Sequence, residues 1–492
     1  VIIGTCLTNE LNSDLTLRQF YPEFVSHIEK LDEFKALSEE EKSAFLEHFK
    51  AGISQGRVPK LPDGVALNVE SSRVAKHIGA EGINFTIDAA CATSFAAIDA
   101  AIKELLSGDS DVTVVGGVNT NHSPEAFVGF SKMGALASHG SYPFDERAGG
   151  FVLGEGAGVI VMKRMKDALA DGDRIYCVIK GAGTSSDGKG KFIAAPSSEG
   201  QSYAMALAFE NMLSPITPDD VDYIEAHGTS TNAGDGAEME TIKMIYKGAR
   251  PKGVSSVKSQ IGHLLGGAGN AGLIKAMLAM QNKTLPPNGQ FEKLSPKLKL
   301  EGTPIYVIKD AKEWAVEQGR KRRAAVSSYG FGGINYHMVI EEFDGEYKPL
   351  ARSIFSDTNY DHNADRIVVT AIGTILPGVQ GADAFWNTMT SGKVTICEPG
   401  AARFNNAAYA KEKDPVFNTP MLRMGIAKDY TFNGLKYKIP PSAMKVIDRS
   451  QFFALDAASQ IIEEAKLSPE LVKGNKIALM FGTTSSEKNC EQ

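Results

Sequence analysis

Residues 82–117 read GINFTIDAACATSFAAIDAAIKELLSGDSDVTVVGG, and the order of properties along them sets the architecture. Ile83–Asp88 predicts a short strand, DAAC a sharp turn, and the Ala-rich stretch Ala92–Ser107 a helix. GDSD predicts a second turn, and Asp111–Val118 a second strand. Outward from this unit the alternation continues. Further strands are expected at Gly156–Met162, Arg174–Gly181, Val221–Glu225, Gly253–Val257, Pro304–Ile308 and Ala324–Ser328. Further helices are expected at Glu39–Gly52, Gly200–Met212, Gly236–Tyr246 and Ala268–Gln281. Such alternation implies a layered α/β core. Lys163–Gly172 has a helical period, ends in a turn, and could join two halves of one domain.

Cys91 sits at the first turn, just ahead of the helix. The free N–H groups and dipole of a helix N-terminus favour thiolate over thiol. A sharp turn exposes the sulfur and turns the residue's own N–H towards the same place, where it can stabilise an oxyanion. The competing reading is a buried, inert cysteine in an Ala-rich contact. Cys6, Cys177, Cys397 and Cys490 have no comparable setting and keep that reading.

Two of the nine histidines stand apart. His227 lies in YIEAHGTSTNAGDGAE, past a short apolar strand and before a Gly/Thr loop. His263 lies in SVKSQIGHLLGGAG, ahead of a small-residue helix start. Strand-end loops are where α/β proteins place chemistry, although a loop histidine satisfied by its neighbours fits each as well. His337, in GINYHMVIEE, begins a β-like run and is expected to support the core.

Composition narrows the class. The chain has 492 residues, 43% hydrophobic and 23% charged, as in ordinary soluble globular proteins. Its length suits roughly two to four domains, or two larger ones. A net charge of −7 gives no sign of nucleic-acid or anionic-membrane partners, and no apolar run approaches a membrane span. The five cysteines include no CxxC pair, which argues against disulfides and a zinc site and fits a reducing, cytoplasmic compartment. The chain begins at Val1 and not at Met, and its N-terminus is read as cut.

Five blocks, DAACATSF, PFDERAGGFVLGEGAG, EAHGTSTNAGD, KSQIGHLLGGAG and SSYGFGGINYHMVIEE, follow one another in the order and spacing of β-ketoacyl synthases. Residues 1–345 resemble that family, the condensing enzymes of fatty acid, polyketide and polyunsaturated fatty acid synthesis. The resemblance implies a thiolase-type five-layered α-β-α-β-α fold, usually a dimer. It places the family's Cys-His-His triad on Cys91, His227 and His263, and its lysine on Lys258. The gating Phe of G-F-G-G falls on Phe331, whose N–H is expected to complete an oxyanion hole with that of Cys91. Thr229, Thr231, Asp235 and Glu238 match the loop that orders the site and the pantetheine arm. Metal and organic cofactors are not implied; the phosphopantetheine arm belongs to a partner acyl carrier protein.

Three positions depart from the pattern. Gln260 replaces the usual Asn between Lys and His, and Arg147 lies one position early. Gly272 stands where some members carry a Glu that pairs with the Lys, leaving Glu238 as a candidate partner for Lys258.

Residues 346–365 read as a polar linker. A strand at Arg366–Ile372, then Phe385–Ser391, a helix at Arg449–Ala465 and a strand at Lys476–Phe481 are expected beyond it. RIVVTAIGTILPG, FWNTMTSGK and DRSQFFALDAASQIIEEAKL resemble the start of another β-ketoacyl synthase. The resemblance thus implies a ketosynthase domain at 1–345 lacking its N-terminal segment. Residues 366–492 would then be the N-terminal part of a second ketosynthase-like domain. The arrangement is similar to the synthase plus chain-length-factor tandem of polyketide and polyunsaturated fatty acid synthases. The expected activity is decarboxylative condensation of an acyl thioester on Cys91 with a malonyl-type thioester. A non-catalytic chain-length or structural component of a synthase complex is the alternative.

Overall fold

The structure is a computed structural model. It describes residues 1–6, 18–53, 66–121, 124–188, 195–212, 214–345, 370–391, 394–398, 423–444 and 447–466, together with 193, 408 and 481. Two compact units form, one from Val1–Ser13 with Pro59–Tyr360, the other from Asp14–Val58 with Asp361–Gln492.

Among its described residues the first unit holds two main sheets and a two-stranded ribbon. The elements of its first half are β1 (Ile2–Gly4), α1 (Asn68–Ile78), β2 (Phe85–Ile87), α2 (Thr93–Ser107), β3 (Val112–Asn119), α3 (Pro124–Lys132) and β4 (Gly156–Lys163). Its sheet runs β2-β1-β3-β4, parallel except for the β3/β4 pair. After α4 (Met165–Ala170) come β5 (Val178–Ser186), α5 (Ser198–Glu210), β6 (Tyr223–Glu225), α6 (Asn232–Ile245), β7 (Lys252–Ser255), α7 (Lys258–Ile261) and α8 (Ala268–Gln281). A two-stranded ribbon of β8 (Thr284–Leu285) and β10 (Lys312–Glu313) flanks β9 (Ile305–Val307). β11 (Arg323–Gly330) and β12 (Ile334–Glu341) complete a second sheet, ordered β5-β12-β11-β6-β7-β9.

Helices α2 and α8 form the layer between the sheets, α1 packs on β1 and β2, and α5 packs on β5 and β12 with α6 beside it. This is the α-β-α-β-α order expected. α2 is rich in Ala, a strong helix former, and buries the stripe Phe95, Ile98, Ala101 and Leu105. It stops at Gly108, which takes φ +85°. α8 opens with small residues because α2 lies close. A Cβ on Gly269 would come 2.6 Å from the Phe95 ring, and the Asn270 N–H donates to Ser94 Oγ at 3.0 Å. The main core joins these helices to Val115, Tyr223, Trp314, Val326 and Ile340, all almost fully buried.

Several boundaries differ from the sequence reading. The strand expected at Arg174–Gly181 begins at Val178 and runs to Ser186, because β12 pairs with it as far as Ser186. α6 starts at Asn232, four residues early, because Thr231 caps it by accepting the Gly234 N–H at 3.2 Å. The helix after Cys91 is preceded by one 3-10 turn, Ala90–Ala92. His337 is a core residue, bonded to Tyr246 Oη at 2.5 Å and Ser327 Oγ at 3.0 Å.

In the second unit, helices Tyr21–Ile28 and Glu39–Ile53 meet through Tyr21, Phe24 and Phe49. Helices Ala382–Thr390 and Arg449–Glu464 form, and Phe452 of the latter stacks on Phe432 at 4.2 Å. The linker at 346–365, most of the strand expected at Arg366–Ile372 and nearly all of that at Lys476–Phe481 lie outside the described residues. Thr370–Ile372 are described and are not strand; the first pairing there is Ile375–Leu376 with Val379–Gln380. Among the described residues no helix is long and apolar enough to cross a membrane.

Candidate active site

β2 ends at Ile87 and α2 begins at Thr93, and the chain between them is bent tightly. Ala90 takes φ +51°, a strained conformation for a residue with a Cβ. Local hydrogen bonds hold it. Asp88 Oδ1 accepts the Ala90 N–H at 2.8 Å, and Thr93 Oγ1 accepts the Ala89 N–H at 2.7 Å. Ser328 Oγ on β11 donates to the Cys91 carbonyl at 3.0 Å, tying the turn to the second sheet. The G-F-G-G turn runs past it: a Cβ on Gly330 would lie 2.4 Å from the Ala89 carbonyl oxygen. Phe331 follows, its side chain half exposed.

Cys91 is half-buried, packed beside Cys6, Phe151, Leu153 and Leu265. Burial pushes its thiol up to about 11, against the Lys258 ammonium and the backbone N–H groups of Phe331 and Cys91, which favour the anion. The expectation of a thiolate set by the helix N-terminus is therefore corrected. The anion-stabilising groups are present, but removal from water outweighs them.

His263 is fully buried, on backbone held by the FVLGEGAG segment. Its N–H donates to the Val152 carbonyl at 2.7 Å, and its carbonyl accepts the Gly154 N–H at 3.0 Å. Its Nδ1 accepts the Leu265 N–H at 3.1 Å, so the neutral ring carries its proton on Nε2. That Nε2 is buried and has no hydrogen-bond partner among the described residues. His227 sits at the end of β6 and is built alike: Nδ1 accepts the Tyr329 N–H at 3.3 Å. The two rings lie 5.5 Å apart at 85°, and Phe151 meets the His263 ring edge-on at 5.1 Å. Burial, then the charge of Lys258, holds both imidazoles well below their usual range, so both are neutral.

The loop after His227 is held by buried carboxylates. Glu238 accepts the N–H groups of His227 and Gly228, each at 2.7 Å. Asp235 accepts those of Phe144 at 2.7 Å and Ser230 at 3.0 Å. Burial raises Glu238 to about 7 and Asp235 to about 8, against these bonds. Thr229 and Thr231 share a hydroxyl contact at 3.0 Å. Arg147 lies apart from this cluster. It pairs with Asp145 and Glu292, each at 2.8 Å, and stacks on Tyr142 at 4.4 Å. Gln260 is exposed beside Gly289.

Lys258 is buried, and burial lowers its pKa; Glu225 and then Glu238 are the acids that oppose this. The sequence reading does not single out Glu225. Its one signal is a carboxylate inside an otherwise apolar strand, two residues before His227. Apart from this cluster, an apolar groove of about 1330 Å³ runs between β4 and β5, lined by residues such as Val159, Val161, Cys177 and Met277. Cys91, His227 and His263 do not line it.

Comparison with known proteins gives the family. The model of the β-ketoacyl synthase N-terminal domain matches residues 33–168 and 364–492, and that of the C-terminal domain matches residues 176–292. The chain belongs to the β-ketoacyl synthase family. It is 37% identical over 337 residues to a polyunsaturated fatty acid synthase polypeptide of Thraustochytrium, covering 66% of this chain and 12% of that protein. It is 39% identical over 284 residues to a phenolphthiocerol/phthiocerol polyketide synthase polypeptide of Mycobacterium tuberculosis, covering 57% of this chain and 15% of that one. The ketosynthase from module 6 of the Bacillus subtilis bacillaene synthase superposes with a TM-score of 0.55 at 37% identity, covering 58% of this chain and 51% of that one. The oxazolomycin ketosynthase domain of Streptomyces albus gives 0.55 at 31% identity, covering 62% and 53%. The fold is the thiolase-type α/β fold of these ketosynthases. The chain spans a small part of the curated relatives' length and about half of the solved ketosynthases.

Proposed function

We propose that the first unit catalyses a decarboxylative Claisen condensation. Cys91 Sγ attacks an acyl thioester and expels the carrier thiol, forming an acyl-cysteine. A malonyl-type thioester then loses CO₂, and the electrons of the broken C–C bond become an enolate. The carbanion attacks the acyl-cysteine carbonyl, the new C–C bond forms, and the C–S bond breaks to return Cys91. In this reading His227 and His263 donate from Nε2 to the enolate oxygen, and the N–H groups of Cys91 and Phe331 hold the oxyanion on the acyl carbonyl. Lys258 supplies positive charge. Thr229, Thr231, Asp235 and Glu238 order the loop that receives the pantetheine arm.

The observation that carries the reading is the pair of neutral imidazoles, each with Nδ1 already engaged by backbone. A general base would need the opposite arrangement, a free acceptor nitrogen. Fixed donors cost no reorganisation when charge develops.

An acyl carrier protein bearing phosphopantetheine is the proposed partner, with no resident cofactor. A dimer, with itself or a ketosynthase-like chain, and a cytoplasmic location follow the same reading. Residues 1–345, 346–365 and 366–492 are proposed as a synthase domain, a linker and the start of a second synthase-like domain; the split match of the N-terminal family model supports this. Incubation with acyl and malonyl pantetheine thioesters tests the function. A β-ketoacyl thioester with equimolar CO₂ is expected. Acyl-cysteine formation without CO₂ release would contradict it.

A further inference from the structure

Lys258 needs a counter-charge, since a buried ammonium without one loses its proton. Gly272 carries no carboxylate. The space beside it is nevertheless filled: a Cβ there would lie 3.1 Å from Glu225 Cγ and 3.6 Å from Glu225 Oε1. The carboxylate arrives from β6 instead of α8.

Glu225 is fully buried and fully engaged. Oε1 accepts the Val257 N–H at 2.6 Å, one residue before Lys258. Oε2 accepts from the Tyr223 hydroxyl and pairs with the Lys275 ammonium at 2.8 Å. Lys275 also donates to Ser255 Oγ at 2.8 Å, which meets Tyr223 Oη at 2.9 Å. The network therefore joins β6, which leads into His227, to β7, to the start of the Lys258 helix and to α8. The charged and titratable groups that interact electrostatically with Lys258 are Glu225, Glu238, Cys91, Lys275, His227, His263 and Asp235.

We propose that Glu225 is a positioning residue for the condensation, holding the backbone that enters Lys258, with Lys275 fixing the carboxylate and Gly272 leaving it room. This rests on the functional reading above. A lone structural ion pair would explain the Glu225–Lys275 contact, but not why the carboxylate also holds the backbone entering Lys258 from the place that residue 272 vacates.

The test compares the full chain with Glu225→Gln, with Glu225→Gln/Lys275→Met, and with Glu225→Ala/Gly272→Glu, which returns a carboxylate from α8. The double variant removes Glu225 together with its ion-pair partner, so Lys275 is not left buried without a carboxylate if the single one fails to fold. The first readout is the iodoacetamide alkylation rate of Cys91 at pH 8.5, which follows its thiolate fraction and needs no turnover. Loss of Glu225 is expected to slow it about threefold or more, because Lys258 is no longer held where its charge favours the thiolate. The second is malonyl thioester decarboxylation, expected to fall about tenfold or more while acyl loading stays within about threefold. The Gly272→Glu change is expected to restore most of both. A folded Gln or Gln/Met variant with unchanged alkylation would overturn the proposal, as would a folded Ala/Glu variant with no recovery. Absence of condensation in the unaltered chain would overturn the functional reading instead, with the alkylation arm still deciding the role of Glu225.

Discussion

His227 and His263 stand with ring centroids 5.5 Å apart at 85°, and a backbone N–H occupies Nδ1 of each. Both rings are thereby fixed as Nε2–H donors. His263→Ala is expected to cut malonyl thioester decarboxylation by about 10²–10³-fold, the usual cost of losing one oxyanion donor. Acyl loading of Cys91 should fall by much less. Single-turnover assays of the two half-reactions separate them, and equal loss in both would contradict the donor role.

The protonation of Cys91 gives a second expectation. With its thiol raised to about 11, the alkylation rate should climb about tenfold per pH unit from 7 to 10 without a plateau. A free thiol would level off near 9. Lys258→Met removes the main charge favouring the anion and should slow alkylation further at every pH in that range. A plateau below pH 9 in the unaltered protein would show that burial does not dominate.

The histidine pair also sets an acid dependence of stability. Unfolded imidazoles bind protons near pH 6.5, while the buried rings stay neutral well below it. The unfolded state therefore binds more protons on the acid side, and stability rises with pH up to about 6.5 and is lost as pH falls. Each ring contributes about 1.4 kcal/mol per pH unit in that window. Denaturant unfolding between pH 5 and 7 should show the slope, and His263→Ala should reduce it.

The loop after His227 depends on Glu238, whose two oxygens each take a backbone N–H. Glutamine can accept only one of them. Glu238→Gln is expected to destabilise the first unit by about 1–3 kcal/mol, the cost of an unsatisfied buried group. Equilibrium unfolding measures it; a change under about 0.5 kcal/mol would mean the loop finds other partners.

Much of this is legible in the sequence. Strand–turn–helix around Cys91 is local, and period and turn residues carry it. α8 matches its expected bounds because Ala268–Gln281 has a clean helical pattern. What does not show are effects made by distant chain segments. The local helix argument for Cys91 gives the wrong resting state, because Phe151, Leu153 and Leu265 arrive from elsewhere and exclude water. Glu225 stays hidden for the same reason: its partners Val257 and Lys275 adjoin it only once β6, β7 and α8 assemble. The donor tautomers of the histidines depend on the Tyr329 and Leu265 N–H groups, whose orientation no spacing reveals.

The central claim is that Cys91 carries the acyl group. Intact-protein and peptide mass spectrometry after incubation with an acyl pantetheine thioester tests it most directly. One acyl group is expected on the peptide containing Cys91, and none on the folded Cys91→Ala variant. Equal acylation of that variant, or modification at Cys6 or Cys177 in its place, would contradict the account.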